Sequence, residues 1–113
     1  MLLYGEDRSI VVKKVRTAYD FIHRLKGLML DRDLPEDEAL HIRPCRSVHT
    51  CFMRFPIDVV YVDDNLRIIA IEEHMGPFRF GRSRSDATSV FEFQAGIVQK
   101  KELAVGQTLQ FQK

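Results

Sequence analysis

The chain has 113 residues and carries 17 Lys and Arg against 16 Asp and Glu, a formal net charge of +1. That length suits one domain, 1–113, with a single core, and the charge balance gives no electrostatic footprint of a nucleic-acid or anionic-membrane binder. No apolar run approaches membrane-spanning length, and the opening Met1-Leu2-Leu3-Tyr4 meets Gly5 and Glu6 before it could form the core of a signal peptide. With two cysteines and no secretion signal, the expected compartment is the cytoplasm, with both thiols reduced.

Residues 2–4 and 9–15 read as short strands split by the turn-like Gly5-Glu6-Asp7. Thr17 offers an N-cap, with Asp20 three residues on. Ala18, Phe21, Ile22 and Leu25 then recur at helical spacing, and Gly27 stands where a C′ residue would. This predicts one amphipathic helix over about 18–26. A charged loop follows over 31–37, then a strand over 38–43 that Pro44 ends. His23 and His41 read as surface or edge residues.

The strongest pattern lies in 45–63. Residues 47–52 can run extended, with Ser47, His49 and Cys51 on one face. Pro56 has no N–H for a ladder, so 52–56 reads as a turn or bulged corner. Residues 57–63 and 66–72 form two β-rich arms around Asp64-Asn65, a pair that tolerates positive φ. In that register Ile57, Val59 and Tyr61 share a face with Leu66, Ile68 and Ala70, while Val60, Val62, Ile69 and Ile71 take the other. Both faces are apolar, which predicts a central hairpin. Asp58 breaks the pattern. A buried carboxylate needs partners, and backbone N–H groups of the 52–56 corner are the expected ones.

Residues 74–86 mix glycine, proline and three arginines without periodicity and read as a mobile surface loop. A strand over 88–94 places Phe91 and Phe93 on one face and Val90, Glu92 and Gln94 on the other. A short helical turn near 97–102, a turn at Val105-Gly106-Gln107 and a last strand over 108–111 complete the chain. The fold expected is mainly β: a compact β-sandwich or partly closed β-barrel of about seven or eight short strands, with the 18–26 helix over one opening.

The run VHTCFMRFPIDVVYVD, from Val48 to Asp63, resembles the signature core of the family known as domain of unknown function 192. Gly27-Leu28-Met29, Leu34-Pro35 and the run from Phe91 to Gly96 agree with it. Val105-Gly106-Gln107 resembles the family's closing V-G-D, with Gln107 in place of the usual Asp. The resemblance implies a compact, mostly β fold and no established activity. It also implies that Pro77-Phe78-Arg79 matches a P-x-R pattern of relatives, which singles out Arg79.

Three chemistries can be weighed on these residues. Cys45, His49 and Cys51 are zinc-ligand types, but in an extended segment Cys45 and His49 stand about 13 Å apart. A structural site wants four ligands, so no metal and no cofactor are expected. Cys51 or Cys45 as nucleophile, His49 as base and Asp58 as its orienting group would make a thiol-based enzyme or small hydrolase; the plainer reading is that the thiols are buried small hydrophobes. The third chemistry is binding. His49, Thr50, Arg54 and Asp58 supply polar groups, with Phe52, Met53 and Phe55 as apolar wall. Arg79, beside Phe78 and Phe80, could pair an anion or, with less support from the net charge, a single nucleic-acid strand. The expected function is therefore binding of a small polar or anionic ligand in a pocket formed by 45–58 and 76–86, with the enzyme as alternative.

Overall fold

The structure, a computed structural model, describes residues 2–5, 7–18, 34–43, 56–76 and 86–112. Eight strands and one short helix are seen there: β1 Leu2–Tyr4, β2 Ile10–Val12, β3 Lys14–Ala18, β4 Glu38–Ile42, β5 Ile57–Val62, β6 Ile68–Met75, β7 Ser89–Gln94, α1 Ile97–Lys100 and β8 Gln110–Gln112. They form a three-stranded sheet in the order β2-β1-β8 and a five-stranded sheet in the order β3-β4-β7-β5-β6. All pairings are antiparallel except β3 with β4.

Two buried clusters flank the large sheet, as alternation along its strands requires. The first joins the two sheets: Val11 and Val12 from β2 and Leu109 next to β8 meet Ala39, Val60, Val62, Phe91 and Phe93. The second occupies the opposite face with Leu40, Ile42, Ile57, Val59, Tyr61 and Val90. Every residue of β5 is buried, and so is every residue of β7 before Gln94. The large sheet does not close, having β3 and β6 as its outer strands. Residues 106–109 nevertheless bridge β6 towards β8, through Ile68 N–H to Gln107 O at 2.8 Å and Leu109 N–H to Leu66 O at 2.9 Å.

The mainly β architecture is the one expected, with local corrections. The strand expected over 9–15 breaks at Lys13, whose N–H and that of Lys14 both reach Asp37 O. β3 then continues to Ala18, so Thr17 lies in a strand and not at a helix N-cap: parallel pairing with β4 along its full length outweighs the local capping signal. The rest of the predicted helix, 19–26, lies outside the described residues. The last strand begins at Gln110 because Thr108 is held in a bridge to Arg67.

The hairpin is half central. β5 is interior, but β6 is an edge. Its turn is closed by Asp63, whose Oδ1 accepts the N–H groups of Asn65 at 2.9 Å and Arg67 at 3.0 Å. Positive φ falls on Leu66, at 62°, rather than on Asp64 or Asn65. A bulge between Tyr61 and Val62 then pairs Val62 with Ile68 and Tyr61 with Ala70. Ile68 and Ile69 therefore exchange the faces expected of them: Ile68 joins the first cluster and Ile69 packs on the second.

Candidate functional site

Most residues singled out from sequence, His49, Thr50, Cys51, Arg54 and Arg79 together with Cys45, lie outside the described residues, as does the corner over 52–55. Asp58 is described, and its role is plain. Fully buried on the first face of β5, it accepts the N–H of His74 on Oδ1 at 2.8 Å, and those of Gly96 and Val98 on Oδ2 at 2.9 and 3.0 Å. These amides come from the β6 bulge and the start of α1. His74 has φ 51° and Gly96 φ 100°, and α1 has no capping side chain of its own at Gly96. Asp58 thus caps, from 38 and 40 positions away, a helix too short to stand unaided.

Glu92 is the opposite case, and sequence alternation placed it on the right face without marking it. It lies on β7, directly between Leu40 of β4 and Val59 of β5. Its residue exposure is 1%, and among the described residues neither carboxyl oxygen has a hydrogen-bond partner. Burial pushes its pKa up to about 8. At neutral pH the group is mostly the neutral acid, one O–H donor beside a carbonyl acceptor. The register extends its row across the sheet: Arg16, Leu40, Glu92, Val59 and Glu72. Glu72 accepts the Tyr61 hydroxyl at 3.0 Å, and Arg16 Nε pairs with Glu38 Oε2 at 3.1 Å. Polar groups thus gather on the second face, around a carboxyl that nothing described satisfies.

That face is also where the chain leaves and re-enters the described structure. Ile42 precedes 44–55 and Ile57 follows it; Met75 precedes 77–85 and Ala87 follows it; all four belong to the second cluster, and Leu34, just after 19–33, packs against it.

His41, expected at the surface or an edge, is a buried residue of interior strand β4, 2% exposed. Its ring stacks on Phe91 with centroids 4.2 Å apart and 8° between planes, and its Nε2 is hydrogen-bonded to Ser89 Oγ at 2.9 Å. Cross-strand pairing of His41 with Phe91 forces this burial, which a lone histidine in a weak strand pattern does not reveal. Burial, and secondarily Arg43, lower its pKa to about 4. The pair borders a cleft of about 250 Å³ shared with Thr88, Asp63 and Phe111. A Ser–His contact suggests a nucleophile and base, but an imidazole this weakly basic is a poor proton acceptor at neutral pH. Among the described residues no group of three or more His, Cys, Asp and Glu side chains could hold a metal ion, and no helix is long and apolar enough to cross a membrane.

Gln107 holds the turn before β8 through its side-chain amide. Its Oε1 accepts the Ala104 N–H at 3.1 Å and its Nε2 donates to Glu102 O at 3.0 Å, closing the turn before β8.

Comparison with known proteins agrees with this architecture. The chain is 30% identical over 105 residues to UPF0127 protein PF1050 of Pyrococcus furiosus, covering 88% of each. A UPF0127 protein of Thermococcus sibiricus is 23% identical over 120 residues, covering 99% of this chain and 75% of that one. Among solved structures, a proposed transcription regulator from Sinorhizobium meliloti superposes with a TM-score of 0.80 at 23% identity, over 96% of this chain and 89% of that one. A protein of unknown function from Novosphingobium aromaticivorans gives 0.76 at 16% identity, over 97% and 82%. At such identities the two structures share the fold. The model of domain of unknown function 192, described as Uncharacterized ACR, matches residues 4–111, and the chain belongs to that family.

Proposed function

We propose that this domain binds a small polar or anionic ligand on the second face of its five-stranded sheet, with Glu92 at the floor of the site. The supporting observation is the Glu92 carboxyl, buried with both oxygens lacking partners among the described residues. Such a group costs stability, and in native structures it calls for an explanation such as a bound water or ion or a functional role. In this reading His49, Thr50 and Arg54 from 45–58 and Arg79 from 76–86 supply the remaining polar contacts. Its support is that the described ends of both segments pack on the Glu92 face. Asp58 is then a positioning residue that fixes the β5–β6 bulge and α1 rather than a ligand contact. The same three amides weigh against the thiol-enzyme alternative, because they engage the carboxylate that would have to orient His49.

The test is an amide-resolved NMR titration with inorganic phosphate, acetate, nucleotides, simple sugars and short single-stranded DNA. Saturable shifts at Leu40, Val59 and Val90–Gln94 with one ligand class, reduced in Arg54→Ala or Arg79→Ala, are the expected result. No saturable shift with any probe, or shifts confined to the His41 cleft, would overturn the proposal.

A further inference from the structure

We infer that the outer edge of β8 is a self-pairing surface: two copies of this chain join antiparallel through Gln110-Phe111-Gln112, continuing the three-stranded sheet across a two-fold axis at Phe111. The surface lies apart from the second face and is independent of the ligand reading. What carries it is the place where the ladder beside β8 stops. Residues 106–109 run antiparallel to 66–68, with Ile68 N–H on Gln107 O, Thr108 bridged to Arg67 and Leu109 N–H on Leu66 O. Two residues further the same register would bring Phe111 opposite Asp64, but the chain turns there around Asp63 and the ladder ends. β8 is an outer strand of its sheet, with β1 on its other side in the register Leu2–Gln112, Leu3–Phe111 and Tyr4–Gln110.

Main-chain groups alternate between the two edges of a strand. Leu109 N–H points away from β1, to Leu66 O, so Phe111 N–H and C=O point the same way. The β1 side agrees. Gly5 N–H turns to Ser9 O on the β2 side, as Leu3 therefore does, which leaves Leu2 and Tyr4 to bond Gln112 and Gln110. Among the described residues no hydrogen bond reaches the Phe111 main chain from its outer side. Such an edge is a template for another strand.

The sequence of the edge fits a second copy. Gln-Phe-Gln reads the same in both directions, so an antiparallel pair centred on Phe111 is self-complementary, as a two-fold contact requires. Phe111 exchanges two main-chain hydrogen bonds with the second copy's Phe111, and Gln110 faces the second copy's Gln112. Side chains directly across share a face. Phe111 lies on the inner face, tilted on His41 and Phe91 with centroids 5.5 and 5.8 Å away, so the incoming ring arrives there too. It meets a cleft of about 250 Å³ bordered by His41, Leu66, Ser89 and Phe111 itself, roomier than the ~150 Å³ that holds a benzene ring. Gln110 and Gln112 are exposed on the other face, beside a cleft of about 460 Å³ along the same edge. Their carboxamides can pair there as donor and acceptor. A three-residue edge is short, so the pairing is weak and reversible.

The experiment is sedimentation velocity of the full chain at rising concentration, up to about 1 mM, on the wild type and two double variants. The expected wild-type result is a reversible dimer with a Kd between about 10 µM and 1 mM. Gln110→Lys with Gln112→Lys sets like charges opposite each other at both glutamine pairs and should weaken the dimer about tenfold or more. Gln110→Glu with Gln112→Lys sets opposite charges there and should keep or tighten it. Both variants alter exposed side chains only. In the wild type, dilution should shift the amides of Gln110–Gln112, Leu66 and Ser89 together. A monomer at every concentration overturns the inference. So does a dimer that neither variant changes, or one that both variants weaken alike, since only antiparallel pairing about Phe111 separates the two.

Discussion

Asp58 and Glu92 are two buried carboxyls on neighbouring strands of one sheet, and they meet opposite fates. Asp58 faces the core between the sheets and holds three backbone amides. Glu92 faces the other way and holds none that the described residues show. Burial is nearly identical, 0% against 1% exposed, so desolvation alone does not separate them. The partners do. One carboxyl is part of the scaffold, joining β5, the β6 bulge and α1; the other imposes a cost that no described residue offsets.

The largest effect expected from breaking this contrast is at Asp58. Asp58→Ala strands three buried N–H groups and should lower unfolding free energy by about 3–5 kcal/mol in urea denaturation. Asp58→Asn, which keeps one acceptor oxygen, should lose less.

Glu92 should show its cost as a pH dependence. Its folded pKa of about 8 lies above its ordinary 4.5, so the native state binds the proton more tightly than the unfolded chain between those values. Stability should therefore fall as pH rises from about 4.5 to about 8, by about 2–4 kcal/mol. Glu92→Gln should remove that slope, and parallel urea melts across the range would read it.

His41 bounds the acid side with the opposite sign. Its folded pKa of about 4 lies below the ordinary 6.5, so the unfolded chain takes up the proton first. Stability should fall by about 1–3 kcal/mol as pH drops from 6.5 towards 4. His41→Phe keeps an aromatic ring on Phe91 and should flatten that limb. The smallest effect belongs to Gly96, which gives Asp58 one of its amides from φ 100°. No atom lies within 4 Å of where a Cβ would stand, so Gly96→Ala should cost only the backbone strain, about 1 kcal/mol in the same melts.

How much of this was legible follows the same division. Alternation in 57–63 and 88–94 exposes both sheet faces and the oddity of Asp58, because a period of two is written directly in residue type. It also places Glu92 opposite Phe91 and Phe93. It cannot say whether that face meets solvent, since Gln94 beside it looks equally polar and is exposed. The described partners of Asp58 escape a local reading because a carboxylate's amides can come from any part of the chain, here 16, 38 and 40 positions away, while the corner over 52–55 lies outside the described residues. The face exchange of Ile68 and Ile69 turns on a single bulge, which shifts register without any signature in hydrophobicity. His41 was misread because its burial comes from Phe91, half the chain away, across a strand pairing that local composition does not encode.

The most direct measurement of the central claim is the pH titration of the Glu92 side-chain carboxyl carbon by NMR in the unliganded wild-type protein. A midpoint near 8, with the group protonated at neutral pH, is the result expected of a buried carboxyl that the fold leaves unsatisfied. A midpoint at or below 4.5 would mean that a cation of the chain itself already holds Glu92 ionised, and the contrast with Asp58 would collapse.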